Sequence, residues 1–398
     1  MLSQKTKEIH IRDMITMDNK DYARQYVLDR GLKNKTYTKI LTILDHYSNF
    51  QGMSIDELIQ EADQEEEQGI RWKRRKLKHR LINYMNYCKQ EMLLSSAKSY
   101  FTNIKGFYLH HEIEIGALPK WNNRNANLPE PITSKDLLTK EIIREALKIT
   151  TPVMRCIILT EASSGMTRSD VLGLKVSHFI DATYPFHHSN NIREAVDIML
   201  EKDMDIVPTF RLRRAKNNKY FITFISPEAT MEICKYLKLR DKRNHKYHRQ
   251  LLSNVDPLFK IHPNTYIDKF TELNNSLNRG KAGTYGQFRG HNLRKFHASM
   301  LEKHGMQRYL INVLQGKSNS GVDDVYFFED EETLREEYLK ALQGVLIYTD
   351  VKEITKYSVE YLELKNENQE YKDNLNELWK ELNNMKKRTN IWEDMKNG

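Results

Sequence analysis

Six polar residues between positions 168 and 326 have types and spacing suited to cutting a phosphate ester. No one of them is informative alone, because each residue type is common on protein surfaces. The six are Arg168 in SGMTRSDVLGLK (164–175), Lys216 in a predicted turn, His291 and Arg294 in HNLRKFHASMLEKHG (291–305), and Lys317 and Tyr326 in LQGKSNSGVDDVYFF (314–328). Their order and spacing together indicate a shared site.

The chemistry that this set supports is attack by a tyrosine on a phosphodiester. A tyrosine hydroxyl can form a covalent link to a phosphate, but its ordinary pKa of about 10 calls for a cationic pocket that favours the phenolate. Two guanidinium groups, those of Arg168 and Arg294, can each fork onto non-bridging phosphate oxygens, where negative charge develops. We therefore expect Tyr326 to be the nucleophile and the two arginines to stabilise the transition state.

Proton transfer requires further groups. The leaving 5′-oxygen needs a proton, which Lys216 on a turn can deliver, and Lys219 is the alternative donor. His291 is expected to assist proton transfer or to position the phosphate. This chemistry needs no metal or other cofactor, and the pair His245 and His248 lacks the carboxylate or thiol partners of a metal site.

The four stretches together resemble the tyrosine recombinases, the phage-type integrase family. Arg168 with Asp170 two residues later resembles the first box of that family, and HNLR is similar to its His-x-x-Arg box. LQGKSNSGVDDVYF is similar to its Leu-Leu-Gly-His box with the downstream tyrosine, and Tyr326 follows Arg294 by 32 positions, a separation common in the family. The resemblance covers residues 140–345 and is strongest toward archaeal virus or plasmid integrases.

The resemblance implies a fold that is mainly α with a small antiparallel β-sheet, in which a helical core-binding domain precedes a mixed α/β catalytic domain. It implies that Lys216 lies on the family's lysine-bearing β-hairpin. Lys317 stands where most members have a His or Trp that donates to the scissile phosphate, and a lysine can still donate there as a point charge. The implied function is site-specific recombination of double-stranded DNA through a 3′-phosphotyrosyl intermediate. The implied partners are a specific recombination site and three further copies of the chain, which form a homotetramer on DNA.

Three other functions remain open. An Xer-like chromosome or plasmid dimer resolvase uses the same chemistry, and only its target site and genomic context separate it from an integrase. A type IB topoisomerase shares the constellation but relaxes supercoils as a monomer. A DNA-binding regulator that has lost cutting is disfavoured, because every catalytic position is present.

From residue 139 onward, the chain is predicted to form helices and one pair of strands. Gly165 is expected to end a helix, which puts Arg168 at the start of the next. Asn217 and Asn218 suit a tight turn, and this turn carries Lys216. The predicted elements are helices at 139–149 and 152–164, strands at 206–213 and 219–225, a helix opened by Ser226 and Pro227, a Gly- and Lys-rich loop at 278–290, and a helical pattern from Leu293 onward.

Residues 18–113 are predicted to be helical. Ser54 and Glu57 form a capping box at the start of an amphipathic helix. The stretch 56–67 contains seven carboxylates, and 71–80 contains seven Lys or Arg. We expect the basic segment to lie along DNA phosphates, the alternative being a solvated face. The predicted DNA contacts are Lys73, Arg74, Arg75, Lys76, Lys78 and Arg80.

Composition sets the domain boundaries. The stretch 116–134, with three prolines and four asparagines, is typical of an exposed linker. It separates a helical DNA-binding domain at 1–115 from a catalytic domain at 135–350. Residues 351–398 form a C-terminal segment with a heptad pattern, which predicts a coiled coil for self-association or a long helix docked on its own domain. Its seam is Tyr361, Leu364, Asn368, Tyr371, Leu375, Leu378, Leu382 and Met385.

The overall composition favours a polyanionic partner. Lys and Arg outnumber Asp and Glu by 63 to 54, a net charge of +9, which fits nucleic acid or an anionic membrane surface. The three cysteines lack the spacing of a zinc site or a disulfide framework, so we expect buried thiols in a reducing compartment. No signal-peptide or membrane-spanning pattern is present, and a cytoplasmic protein without a membrane partner is expected.

Overall fold

Among the described residues, helices predominate on both sides of the linker, and two short antiparallel strand pairs occur after residue 208. This confirms the predicted fold class, mainly α with a small antiparallel sheet. The computed structural model describes residues 17–122, 127–201, 206–248, 250, 252–317 and 330–348. The chain divides between Glu130 and Pro131 into an N-terminal unit and a C-terminal unit.

The N-terminal unit is a helical bundle with a tyrosine-rich core. Tyr47, Tyr84 and Tyr108 are buried, and the hydroxyls of Tyr47 and Tyr108 lie 3.2 Å apart. The predicted capping box at Ser54 is confirmed at the start of α3. The helices are α1 (Asn19–Asp29), α2 (Lys35–Gln51), α3 (Ile55–Glu67), α4 (Lys76–Glu91) and α5 (Leu94–His110), with a 3-10 turn at Trp72–Arg74.

The acidic helix α3 binds the start of the basic helix α4. The buried carboxylate of Glu65 accepts hydrogen bonds from the backbone N–H groups of Lys76 at 2.8 Å and Leu77 at 3.5 Å. Arg75, which precedes α4, supplies no side-chain cap of its own. Glu65 therefore caps α4 from a neighbouring helix, and its charge also interacts favourably with the helix dipole.

Two of the predicted DNA contacts are held inside the N-terminal unit. Arg75 is 8% exposed, and its Nη1 lies 3.1 Å from Glu66 Oε1. Arg80 Nε donates to Glu61 Oε2 at 2.7 Å, and its Nη1 donates to Gln51 at 3.0 Å. These contacts give both arginines a structural role.

The contact of all six cations with DNA stays a prediction, and Arg75 and Arg80 in addition form ion pairs within the unit. An acidic run followed by a basic run can neutralise itself when the two helices pack together, which the pattern of one helix cannot reveal. The Lys76 ammonium also reaches Glu61 at 3.0 Å, although its side chain is mostly exposed. Lys73 and Arg74 are exposed and Lys78 is half-buried, and none of the three forms an ion pair within the described parts of the chain.

The first part of the predicted linker packs on the N-terminal unit. Leu118 and Trp121 contact its core, and Trp72 Nε1 donates to Ala117 O at 3.0 Å. The carbonyl of Asn127 accepts from Leu94 N at 2.9 Å at the start of α5. The apolar side chains within the Asn- and Pro-rich stretch hold this part of the chain in place.

The C-terminal unit is built around α7, which is buried along most of its length and contacts both α11 and α13. Its helices are α6 (Lys140–Ile149), α7 (Pro152–Ser164), α8 (Arg168–Leu172), α9 (Val176–His187), α10 (Ile192–Glu201), α11 (Pro227–Lys246), α12 (Pro263–Ser276), α13 (Gly290–Lys303), α14 (Arg308–Leu314) and α15 (Glu331–Val345). Its strands are β1 (Thr209–Arg213), β2 (Tyr220–Phe224), β3 (Lys281–Ala282) and β4 (Tyr285–Gly286).

The predicted strand pair is confirmed with shorter strands. β1 and β2 are antiparallel, with Thr209 opposite Phe224 and Arg213 opposite Tyr220. Ser226 caps α11 as predicted, with Pro227 at its first position. The pair β3–β4 lies within 278–290, which was predicted as a loop, because two-residue strands carry no hydrophobic alternation that a sequence pattern can detect.

Two expectations from composition concern the cysteines and the membrane-spanning segments. Cys88, Cys156 and Cys234 are all buried and unbridged, as predicted. Among the described residues, no helix combines the length and apolar character needed to cross a membrane.

Replacing Glu65 should weaken the N-terminal unit by removing the cap of α4. We expect Glu65→Ala to lower the free energy of unfolding by about 1–2 kcal/mol, because two backbone N–H groups lose their acceptor. Glu67→Ala is the matched control, since Glu67 is exposed at the end of the same helix. Urea denaturation of both variants measures the difference, and equal losses would contradict the capping role.

Candidate active site

The turn between α7 and α8 presents Arg168. Gly165 ends α7 with a φ of 64°, a left-handed conformation that favours glycine. Thr167 and Asp170 then form a capping box, in which Thr167 Oγ1 donates to Asp170 Oδ2 at 2.6 Å. Arg168 is the first residue of α8 and is exposed, so the local sequence holds its guanidinium at the surface of the unit.

Asp170 also anchors the β1–β2 hairpin. Its buried carboxylate accepts from Ala215 N at 3.0 Å through Oδ1, and Arg214 Nε lies 3.7 Å from Oδ2. The next residue, Lys216, is exposed on the turn. The acid of the first box therefore fixes the base of the turn that carries the predicted proton donor.

The alternative donor, Lys219, lies at the other end of the turn. It is half-buried, and its Nζ donates to the backbone carbonyl of Lys317 at 3.4 Å. The hairpin thus contacts the LQGK stretch through Lys219, whereas Lys216 points to solvent. Both lysines stay candidates for the proton donor.

Arg294 joins the first and last boxes. It lies on α13, is 7% exposed, and donates through Nη1 to Gly165 O and through Nη2 to Gln315 O at 2.8 Å. Gly165 is three residues before Arg168, and Gln315 is two residues before Lys317. One buried guanidinium therefore brings the three motifs into a single site.

The buried His297 stabilises the position of Arg294 through Gln315. Gln315 Nε2 donates to the Arg294 carbonyl at 3.0 Å and lies 3.0 Å from His297 Nδ1. Burial, and after it the charges of Arg294 and Lys317, lowers the pKa of His297 to about 3. His297 is therefore neutral at ordinary pH, and its ring accepts the glutamine N–H.

The site carries an excess of positive charge. Burial first, and then the charge of Arg214, lowers the pKa of Arg294 to about 10, while Asp170 opposes this effect. Burial, Arg294, Arg308 and Arg214 lower the pKa of Lys317 in that order. Arg294 remains charged at neutral pH, and a pocket of clustered cations with one nearby carboxylate favours a bound anion such as a phosphate.

His291 faces the same cations. It is exposed at the start of α13, and its pKa is lowered by partial burial and then by Arg289, Lys295, Arg294 and Lys317. His291 is therefore neutral at physiological pH. A neutral imidazole can accept a proton as well as donate a hydrogen bond.

A buried carboxyl lies behind Arg168. Glu161 on α7 is fully buried, and Tyr266 donates to its Oε1 at 2.6 Å. Its other oxygen, Oε2, has no hydrogen-bond partner among the described residues. Burial raises the pKa of Glu161 to about 8, against the opposing effects of the Tyr266 hydrogen bond and the charge of Arg168.

Tyr326 lies outside the described residues, as does the heptad segment at 361–385. Two other tyrosines are candidates for the nucleophile by position alone. Tyr338 is fully buried on α15, and its hydroxyl donates to Ser163 O at 2.8 Å. Burial raises its pKa strongly, so Tyr338 is a packing residue. Tyr309 is half-buried on α14.

The structure brings together Arg168, Arg294, His291, Lys317 and the hairpin that carries Lys216. It also adds residues that the sequence did not single out. Arg214 falls between the predicted strands at 206–213 and 219–225. Glu161, His297 and Gln315 gave no signal, because their positions depend on contacts between elements distant in the sequence. The cluster of basic residues in RLRRAK is the one local sign that Arg214 provides.

Known proteins that resemble the chain do so in structure, at low sequence identity. No protein-family model matches the chain, and no curated protein matches it in sequence. The chain is similar in structure to solved recombinases and integrases.

Three solved structures represent these similarities. A lambda integrase tetramer bound to a Holliday junction is 15% identical, with a TM-score of 0.45, over 83% of this chain and 85% of that one. The XerH site-specific recombinase bound to difH substrate is 14% identical, with a TM-score of 0.44, over 80% and 84%. The Tn1549 transposon integrase with circular intermediate DNA is 14% identical, with a TM-score of 0.43, over 81% and 98%.

A side chain at Gly165 should disturb the centre of the site. A Cβ there would lie 2.6 Å from His297 Nδ1 and 2.8 Å from Gln315 Nε2. We expect Gly165→Ala to cost about 3 kcal/mol of unfolding free energy, because a steric penalty adds to the left-handed backbone cost. Gly305→Ala is the control, since Gly305 has a φ of +94° and no neighbour within 4 Å of a Cβ. Urea denaturation that gives equal losses would contradict this packing.

Glu161 should make the stability of the C-terminal unit depend on pH. Its folded pKa lies above the unfolded value, so stability is greatest below the unfolded pKa and falls as pH rises toward 8. Between acid and mildly alkaline pH, wild type should lose on the order of 5 kcal/mol relative to Glu161→Gln, which cannot ionise. Denaturation across this pH range checks the difference. Glu201→Gln, at an exposed position, should track wild type, and a parallel course for Glu161→Gln would refute the assignment.

Proposed function

We propose that this chain is a site-specific DNA recombinase that cuts and rejoins strands through a tyrosyl intermediate. The observation that carries the proposal is the double donation of Arg294 to Gly165 O and Gln315 O. Through it, the backbone just before Arg168, the His-x-x-Arg box and the LQGK box meet at one guanidinium, near the cations Arg214 and Lys317. Such a pocket suits a phosphodiester, whose transition state spreads charge over its non-bridging oxygens.

Two arginines have complementary roles in this proposal. Arg294 is buried and uses two of its N–H groups on backbone carbonyls, which fixes its orientation. Arg168 is exposed at the start of α8 and is available to an incoming phosphate. Guanidinium groups in fixed positions bind phosphate oxygens in pairs and need little reorganisation during the reaction. Lys317 adds a third cation at the pocket.

The first step breaks one phosphodiester bond and forms another. The Tyr326 hydroxyl attacks phosphorus, its oxygen–phosphorus bond forms, and the bond from phosphorus to the 5′-oxygen breaks. Neutral His291 accepts the phenol proton, and a hairpin lysine, Lys216 or Lys219, gives a proton to the departing 5′-oxygen. The products are a 3′-phosphotyrosyl link and a free 5′-hydroxyl.

The second step reverses the first with a different partner. A 5′-hydroxyl from another duplex attacks the phosphotyrosyl link and releases Tyr326. The number of phosphodiester bonds is conserved, so no nucleotide cofactor is consumed. Exchange between two duplexes uses four active sites, for which we propose a homotetramer on double-stranded DNA.

Binding to DNA is proposed to depend on both units. In the N-terminal unit, Lys73, Arg74 and Lys78 are the predicted contacts left without internal ion pairs among the described residues. Phosphate contacts of this kind position a protein on DNA and carry no sequence information. The recognition sequence must therefore be read by other contacts.

Tyr326→Phe should abolish covalent attachment to DNA. Wild type is incubated without added metal with nicked duplexes, drawn from the flanks of its own coding region, whose cleaved fragment diffuses away. A DNA-linked protein band on a denaturing gel is expected for wild type and for Tyr348→Phe, a control at an exposed tyrosine. The same band should be absent for Tyr326→Phe, since phenylalanine lacks the attacking oxygen.

Other results would argue against the proposal in different ways. A band that survives in Tyr326→Phe would show that another residue is the nucleophile. Tight, salt-sensitive binding without a band on any duplex would favour a DNA-binding protein that does not cut.

A further inference from the structure

Arg214 lies where the hairpin meets the LQGK stretch. It follows the last residue of β1, and its side chain is 12% exposed. Its Nη1 donates to the carbonyl of Gly316 at 2.9 Å, and its Nε lies 3.7 Å from Asp170 Oδ2. One guanidinium therefore spans α8, the hairpin and the residue before Lys317.

The backbone of Arg214 closes the turn that carries Lys216. Arg214 N donates to Lys219 O at 2.9 Å, and Arg214 O accepts from Asn218 N at 2.9 Å. The side chain that holds the LQGK stretch and the backbone that closes the turn thus belong to the same residue. Movement of the turn relative to Lys317 must break at least one of these contacts.

Gly316 is fitted to this arrangement. Its φ is +60°, and a Cβ there would lie 2.7 Å from Arg214 Cδ and 2.9 Å from Phe221 Cγ. The absence of a side chain lets the stem of Arg214 cross close to the backbone. The glycine of the LQGK motif is therefore required by Arg214 as well as by backbone conformation.

The charge of Arg214 also reaches the other cations of the pocket. It is the largest effect after burial among those that lower the pKa of Arg294, and it contributes to the lowered pKa of Lys317. Its nearby counter-charge is Asp170, whose carboxylate also holds Ala215 N. Arg214 is therefore part of the site electrostatically as well as by contact.

We propose that Arg214 is a positioning residue for strand cutting, which fixes the hairpin lysine relative to Lys317 and so delivers the proton donor to the leaving 5′-oxygen. The inference rests on the proposed function. A lysine on a two-strand turn samples many positions, and proton transfer requires hydrogen-bond distance to the oxygen that departs. Arg214 restricts the turn by tying it to the residue next to a phosphate-binding cation.

The inference separates Arg214 from a residue that only stabilises the fold. Loss of proton delivery slows departure of an oxygen leaving group, which must be protonated. It slows departure of a sulfur leaving group much less, because a thiol has a pKa of about 8.5 and leaves as the thiolate. A general loss of structure would slow both reactions equally.

The test compares two nicked substrates, one with the natural 5′-oxygen and one with a bridging 5′-sulfur at the scissile phosphate. The rate of covalent complex formation is measured at saturating protein for wild type, Arg214→Ala, Arg214→Lys and Arg213→Ala. Arg213→Ala is the matched control, because this exposed neighbour donates to Asn218 O and not to the LQGK stretch. Circular dichroism and DNA affinity of each variant confirm that the chain is folded and bound.

On the oxygen substrate, Arg214→Ala should slow cutting roughly 100-fold, the typical contribution of a positioned general acid. On the sulfur substrate, its loss should shrink to less than about 10-fold. Arg214→Lys keeps the charge but cannot span Gly316 and Asp170 with a planar fork, so it should behave like Arg214→Ala. Arg213→Ala should match wild type on both substrates.

Four results would overturn the proposal or the function on which it rests. Equal losses on the two substrates would mean that Arg214 supports the fold or contacts the phosphate itself. Full activity of Arg214→Lys would mean that charge alone matters. Failure of wild type to form a covalent complex on either substrate would refute the proposed function, and a normal wild-type rate with unaffected variants would refute only the role of Arg214.

Discussion

The buried guanidinium of Arg294 is the interaction on which the C-terminal unit's candidate site depends. A charged group inside a protein is costly unless its donors are satisfied and a counter-charge is near. Arg294 donates to two backbone carbonyls, and Asp170 is the carboxylate whose charge acts on it. Because those carbonyls belong to Gly165 and Gln315, the cost of burying this charge is offset by contacts that join segments 150 residues apart in the sequence.

The positions of Gly165, Asp170 and the hairpin are linked to these contacts of Arg294. Gly165 must lack a side chain because His297 and Gln315 lie against it, and those two residues support Arg294. Asp170 accepts a hydrogen bond from Ala215 N and so holds the hairpin. The result is a pocket in which positive charge accumulates around a rigid centre. Fixed dipoles and charges of this kind favour an anion without rearrangement when it binds.

Local signals in the sequence predicted the parts of the fold that have local causes. Ser54 with Glu57, and Ser226 with Pro227, form caps from residues within one helical turn, so their patterns are sufficient. The strand pair was predicted because hydrophobic alternation and a tight turn lie side by side in the chain. The site residues could be recognised in the sequence because each of their motifs is a short, continuous stretch.

Features that arise between distant elements could not be predicted. Arg75 and Arg80 form ion pairs with carboxylates of α3, contacts that the pattern of the basic helix alone does not reveal. Arg214 and Glu161 likewise depend on neighbours far away in the sequence. Residue type and spacing identify charged groups, whereas packing decides whether each one meets solvent, a counter-charge or a ligand.

The pairing of α3 with α4 has a consequence for counterions. A cation that neutralises a DNA phosphate releases a condensed ion, and each such event adds about 0.9 to the dependence of binding on the logarithm of salt concentration. Arg75 and Arg80 already have carboxylate partners within the N-terminal unit, so each would have to give up an ion pair before it could neutralise a phosphate. If the basic segment binds DNA as proposed, its salt dependence would therefore be shallower than its seven positive charges imply, because part of that charge pairs with carboxylates of the helical bundle.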